Sequence, residues 1–148
     1  MALRLAVACV AMTVLIPSEA PAAGNGRAAE RAMVDAVNDA RQRHGLRPLR
    51  DARPLARSAG RLALGLTRLG VFGHLGAGAS AGSRSWGEAL AVHRGWRARA
   101  RPTVKRWLRS PSHRAVLLGG FRRIGAGIRR GRLDGRLTTV WVLHATGR

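Results

Sequence analysis

The chain has 148 residues and carries 27 Lys and Arg against seven Asp and Glu, a formal net charge of +20 at pH 7. That length allows one domain, and the lone cysteine, Cys9, excludes an internal disulfide framework. From residue 52 onward nineteen Arg and one Lys face only Glu88 and Asp134, so the surface should gather near anionic polymers such as envelope phosphate polymers, acidic glycans or lipid headgroups. A solvated cationic face with no dedicated partner is the plainer alternative, and a GC-rich genome would favour Arg over Lys without explaining the missing acids.

The first residues, Met1-Ala2-Leu3-Arg4, make a short positive start, and Leu5 to Ile16 is an apolar run too short to span a bilayer. Ala20-Pro21-Ala22 then places small residues where a signal peptidase reads, so residues 1–22 are expected to be a signal peptide cleaved after Ala22 or Ala23. A buried N-terminal helix is the alternative, but no amphipathic period runs through the segment. The mature chain then has no cysteine, no transmembrane span and an address outside the cytoplasm, secreted or in the cell envelope. Residues 23–28 are expected to be a flexible lead and 29–148 a single domain, large enough to bury a core without disulfides.

A first helix is expected over about 28–43, with Met33, Val37 and Ala40 on its inner face. Gly45 suits the left-handed position that closes a helix, and His44 beside the negative end of the dipole reads as structural. Leu46-Arg47-Pro48-Leu49 is a connector whose leucines should enter the core. A second helix starts near Pro54, with Leu55, Ala59, Leu62, Leu66 and Leu69 as its core stripe. Gly60 and Gly65 each weaken that helix by about 1 kcal/mol relative to Ala, which implies close packing there. Gly70 ends it, and Val71-Phe72-Gly73-His74 leads away.

Residues 75–86 are rich in Gly, Ala and Ser and read as a mobile loop. Gly87 to Val92 is a short strand or extended turn. A third helix begins near Pro102 and turns Val104, Trp107 and Leu108 inward. Ser110-Pro111 breaks it and caps a short helix that ends at Gly119-Gly120. Two strands, 124–129 and 137–145, close the chain, with Asp134-Gly135 between them as a hairpin signal.

Three side chains stand out for chemistry. His113 falls in the first turn of the helix opened by Ser110-Pro111. The positive end of the dipole, with Arg109 and Arg114 alongside, should keep its ring neutral. A neutral imidazole suits metal ligation or general-base work; satisfying the backbone at a helix start is the alternative. Glu88, one of two acids in the last 97 residues, sits in an apolar stretch and needs a cation or hydrogen-bond donor. An Arg would serve as well as a histidine or a metal. His74 on its own reads as a loop residue. Two imidazoles and one carboxylate could hold Zn²⁺ or another divalent ion, or relay a proton. His93 sits in an Arg-flanked loop. His144 shares a strand face with Val140 and Val142, where burial with a hydrogen bond is expected. Both are left outside the site. Trp107 and Trp141 read as core, Trp86 and Trp96 as rim aromatics.

These residues occur in frames similar to those of the secreted CAP superfamily (cysteine-rich secretory, antigen 5 and pathogenesis-related proteins), in its bacterial cysteine-free form. The resemblance runs from about Val34 to Thr146. Val37-Asn38-Asp39-Ala40-Arg41 and Gly45-Leu46-Arg47-Pro48-Leu49 are similar to the family's opening helix and connector. Phe72-Gly73-His74 resembles its first histidine, Gly87-Glu88-Ala89-Leu90-Ala91 its Gly-Glu-Asn motif, and Trp107 to Leu118 its Ser-Pro-x-His-Arg helix. Ile124-Gly125-Ala126-Gly127 resembles the strand that follows.

The resemblance implies an α+β fold, an α-β-α sandwich with a small, mainly antiparallel sheet between helices. It also implies a cleft lined by His74, Glu88, Ser110 and His113, of which His74, Glu88 and His113 are the candidate metal ligands. Ser110 stands where many eukaryotic relatives have a second glutamate, Ala89 where the motif has Asn, and Ala145 near the place of a terminal aromatic. The implied function is a secreted binding module, taken to be a monomer, whose cleft accepts a divalent metal or a small apolar ligand. A metal-dependent hydrolase using the same cleft is one alternative, and a cationic binder of an anionic envelope polymer or acidic glycan with a vestigial cleft is another. Nucleic acid is not expected as the biological partner. Family members do not share one established activity, so the fold leaves function open.

Overall fold

The computed structural model describes residues 23–74 and 86–147. The expected signal peptide lies outside these residues, as does the expected Gly-rich loop over 75–86 except for Trp86, which opens a strand instead. Eight elements follow in order: α1 (Ala23–Arg43), β1 (Arg50–Asp51), α2 (Arg53–Leu69), β2 (Trp86–Arg94), α3 (Ala100–Trp107), α4 (Pro111–Leu118), β3 (Arg123–Leu133) and β4 (Arg136–Thr146). The sheet runs β1-β3-β4-β2, with β1 parallel to β3 and the other pairs antiparallel. Helices cover both faces, as an α-β-α sandwich requires. No helix among the described residues is long and apolar enough to cross a membrane.

The alternation of side chains along the strands divides the core in two. One face presents Ala89, Ala91, Ile124, Ala126, Ile128, Trp141 and Leu143 to α1, α3 and α4, where they meet Met33, Val37, Ala40, Val104, Trp107 and Leu117. The other presents Leu90, Leu133, Val140 and Val142 to α2, where they meet Ala59, Ala63 and Leu66. Trp107 and Trp141 are buried as the sequence suggests, and the Trp107 indole N–H is satisfied by Leu90 O at 2.9 Å.

Helix α2 lies very close to β3, because glycines on that strand face leave room for it. A Cβ on Gly125 would stand 2.1 Å from the Ala56 backbone N, and one on Gly127 would stand 2.3 Å from the Gly60 N. Gly60 is thus packed tightly, as its place in a helix interior implied. Gly65 is not, since nothing lies within 4 Å of a Cβ there. Leu69, assigned to the core stripe, is 67% exposed, because α2 has run past the end of the covered strand face.

Several boundaries differ from the local reading. Helix α1 takes in residues 23–28, which the sequence marked as a flexible lead; extending an existing helix costs far less than nucleating one, so two glycines do not stop it. Strand β1 has no hydrophobic signature and exists through its pairing with β3. Strand β2 is longer than the expected 87–92 because β4 offers it nine partners. Gly45 and Gly70 adopt the left-handed conformation at φ +69° and +67°, as helix ends require. Asp134 and Gly135 both have positive φ and turn the β3–β4 hairpin. His44 donates from Nδ1 to Ala40 O at 2.8 Å, a helix-closing role.

Two polar residues of α1 lock the connector. Asn38 donates to Leu49 O and accepts from Leu49 N at 3.0 and 2.8 Å, seating Leu49 in the core. Arg41, 4% exposed, donates to the carbonyls of Arg47, Leu117 and Gly119. It thereby ties α1 to the C-terminal end of α4, whose unpaired carbonyls favour a cation.

Candidate functional site

Glu88 belongs to the third pair of the β2–β4 ladder from its end, directly opposite His144. Its side chain is 11% exposed, and both carboxylate oxygens are used. Oε1 accepts from His74 Nδ1 at 2.5 Å, and Oε2 accepts from His144 Nε2 at 3.0 Å. A carboxylate oxygen can only accept, so each ring carries its proton on the nitrogen facing Glu88. His74 hangs from the exit of α2 with its side chain 61% exposed, and among the described residues its Nε2 has no hydrogen-bond partner. His144 is 3% exposed at its side chain, stacks obliquely on Trp86 with ring centroids 4.6 Å apart, and keeps a buried Nδ1 without a partner among the described residues.

His144 was left outside the site by its hydrophobic strand pattern, and burial with a hydrogen bond is indeed its situation. Its partner is the site carboxylate, which makes it part of the arrangement. Burial pushes its pKa below the ordinary histidine value, with Arg61 acting in the same direction. These outweigh the hydrogen bond and charge of Glu88, which act upward. His144 is therefore held neutral, as a fixed donor. Among the described residues Glu88 has no Arg partner; the two imidazoles take that place.

His113 is the third residue of α4, after Ser110 at the N-cap and Pro111. The Ser110 hydroxyl makes no capping bond to the backbone; it pairs with His113 Nδ1 at 3.0 Å and lies 3.3 Å from Ser112 Oγ. Ser110 thus orients the ring, which tilts toward Trp107 at 6.1 Å between centroids. The pKa of His113 is lowered, the direction expected, but the causes differ. Burial comes first, then charge on His74, then Arg106. Arg109 and Arg114, the sequence neighbours, are not among them. His113 makes no hydrogen bond to Glu88 among those described.

The remaining candidates stay outside. His93 bonds Thr103 Oγ1 at 2.7 Å and ties β2 to α3. Trp96 is an exposed aromatic, 53% accessible, while Trp86 is half-buried against His144.

The donor set bears on the divalent ion expected here. A catalytic zinc takes three protein ligands and keeps one open position. Glu88 already accepts an imidazole N–H on each oxygen, and apart from the buried His144 Nδ1 the ring nitrogens of this cluster without a partner among the described residues are His74 Nε2 and His113 Nε2. Among the described residues no group of three or more His, Cys, Asp or Glu is disposed to hold a metal ion. Glu88 instead occupies the place of a carboxylate that orients a histidine from behind. As arranged, His74, Glu88 and His113 do not fit a three-ligand zinc.

The comparisons with known proteins agree with this architecture. A similar fold occurs in an outer surface protein from Borrelia burgdorferi, at 19% identity and TM-score 0.58 over 80% of this chain and 91% of that one. An extracellular protein containing a SCP domain from Bacillus anthracis matches at 21% and 0.55, over 79% of this chain and 41% of its own. A cysteine-rich secretory protein from Staphylococcus aureus matches at 16% and 0.57, over 85% and 40%. This chain therefore spans about two-fifths of the last two. No curated protein sequence matches it significantly. The model of the CAP, or cysteine-rich secretory protein, family matches residues 34–144, the span that holds Asn38, Arg41, His74, Glu88, His113 and His144. With its fold and the order of its motifs in accord, the chain belongs to the cysteine-rich secretory protein family.

Proposed function

We propose that this protein is an exported binding module that works at the cell envelope or beyond it, and that its cleft holds a ligand without hydrolysing it. The observation that carries this reading is the double engagement of Glu88. Each Glu88 oxygen accepts an imidazole N–H, so this largely buried carboxylate serves to orient two rings rather than to meet water as a general base. Ser110 occupies the position where a second acid would stand, and it orients His113. What the cleft offers is His74 Nε2 as an acceptor, next to exposed Val71 and Phe72 in the same exit segment. A small ligand with an apolar body and one hydroxyl suits that pairing. Export is supported by the apolar run and small residues of 1–22, and by the extracellular and outer-surface settings named for two proteins of similar fold.

The test is a fluorescent long-chain alcohol titrated into the purified chain, beside assays for ester and peptide hydrolysis. Saturable binding that weakens at least fivefold in His74→Ala, with no turnover, is the expected result. Turnover that disappears in Glu88→Gln would overturn this reading in favour of a hydrolase.

A further inference from the structure

At the sheet edge away from β2, the first half of α1 and the length of α2 form the walls of a groove of about 650 Å³. Its lining includes Arg27 and Arg31 from α1, Arg53, Arg57 and Arg61 from α2, and Arg129 on the β3 floor. Arg53, Arg57 and Arg61 are four residues apart, so they form one row along α2, one guanidinium about every 6 Å. Arg27 and Arg31 repeat that step on the facing helix.

Like charges at this spacing destabilise a helix by a few tenths of a kcal/mol per pair, and a solvated face normally interleaves acids with them. Here the acids are only Glu30 and Asp51. Glu30 lies near the Ile128 backbone and Arg129, with burial holding its carboxyl above its ordinary pKa, while Arg129 donates to Ile128 O at 2.7 Å. That bond gives the β3 edge beyond the short β1 a partner for one carbonyl. Among the described residues none of the six arginines makes an ion pair within 4.0 Å.

We infer that this groove binds a linear, phosphate-bearing polyanion that carries no bases. Guanidinium forks match phosphate oxygens in pairs, and two facing rows with a regular step suit a chain with repeating charges. Apart from the charged residues the lining is Val34, Ala56, Gly60, Leu64 and Ala126. That lining holds no aromatic to stack a base, the contact that single-stranded nucleic acid binding uses. The groove floor is β3, two strands away from Glu88 on β2, and of its arginines only Arg61 also acts on His144.

Titration of the full chain with long-chain inorganic polyphosphate tests it, comparing Arg31→Gln/Arg57→Gln with Arg94→Gln/Arg97→Gln. Both pairs remove two exposed charges, but Arg94 and Arg97 lie at the far end of β2. Arg61 is left in place because its charge also bears on His144. The expected result is at least a tenfold loss of affinity for the groove variant and less than threefold for the control. The slope of log affinity against log salt should shrink by roughly 1 to 2 for the groove variant. Equal losses in the two variants, or no binding by the parent chain, would overturn the proposal. So would tighter binding of oligo-dT of matched charge through the same arginines, which would make the groove a nucleic-acid site. Loss confined to phosphatidylglycerol vesicles, with polyphosphate affinity unchanged, would assign the arginines to lipid headgroups and equally overturn it. Melting curves, and the two single substitutions measured separately, keep a folding defect distinguishable from lost contacts.

Discussion

Glu88 and His144 face each other across the β2–β4 ladder, and His144 Nε2 donates to Glu88 Oε2 at 3.0 Å. The strand register thus buries a neutral histidine whose one visible task is to hold the carboxylate that in turn orients His74. Replacing Glu88 with Gln breaks the reciprocity, because an amide has only one accepting end for two N–H donors. Hydrogen bonds to a charged group contribute about 1.5–3 kcal/mol each, so the Glu88→Gln chain should unfold with roughly 2 kcal/mol less stability. An unchanged urea midpoint would show that the two imidazoles do not depend on Glu88.

His93, His113 and His144 all have lowered pKa values, with burial the first cause in each. Their folded values lie below the unfolded value of about 6.5. The unfolded chain therefore takes up protons that the native state refuses. Stability from these groups is fully present above that value and declines as pH falls through it toward the folded pKa values. His113→Gln should make the decline shallower between about pH 7.5 and 5.5, leaving the share due to His93 and His144. Denaturation midpoints for the two proteins across that window decide it; parallel curves would mean that His113 titrates as an ordinary surface histidine.

Two glycine substitutions should have opposite signs. Gly127→Ala drives a Cβ into the Gly60 and Ala59 backbone at 2.3 and 2.4 Å, where neither wall can yield, and overpacking costs about 1–3 kcal/mol or more. Gly65→Ala meets nothing within 4 Å in a helix interior and should stabilise by about 0.4–1 kcal/mol. Thermal melts of both variants give the comparison, and a harmless Gly127→Ala would contradict the close approach of α2 to β3.

Arg41→Met should destabilise by about 3 kcal/mol or more, since it strips the donors from three carbonyls, two of them at the end of α4. Arg41→Lys should recover only part of this, because an ammonium cannot reproduce the fork. Burial lowers the Arg41 pKa, yet the group stays charged at any working pH. Full recovery by Lys, read from chemical denaturation, would reduce the residue to a point charge.

Chelation should leave the melting temperature unchanged, because Glu88 is engaged in orienting two imidazoles and no group of three or more His, Cys, Asp or Glu among the described residues is disposed to hold a metal ion. Metal analysis of the purified chain is the check. Stoichiometric zinc that is lost in His74→Ala/His113→Ala would restore the three-ligand arrangement that the side chains do not now present.

The amino-acid order by itself determined whatever depends on neighbours along the chain. The inner face of α1, the left-handed ends at Gly45 and Gly70, the Asp134-Gly135 hairpin and the Ser110-Pro111 start of α4 all arise from local backbone preferences and helical periods. The short frames around His74, Glu88 and His113 likewise sufficed to mark the family and the sandwich. Tertiary structure alone decided which groups meet. Strand register put His144, 56 residues away, on Glu88; its alternation with valines announced burial but could not name a partner. Helix placement left Leu69 in solvent, gave Arg41 its carbonyls on α4, and turned two separate Arg repeats into facing walls. Contacts of this kind depend on how whole elements pack, and packing is set by glycines such as Gly125 and Gly127 whose effect shows only once another backbone arrives against them.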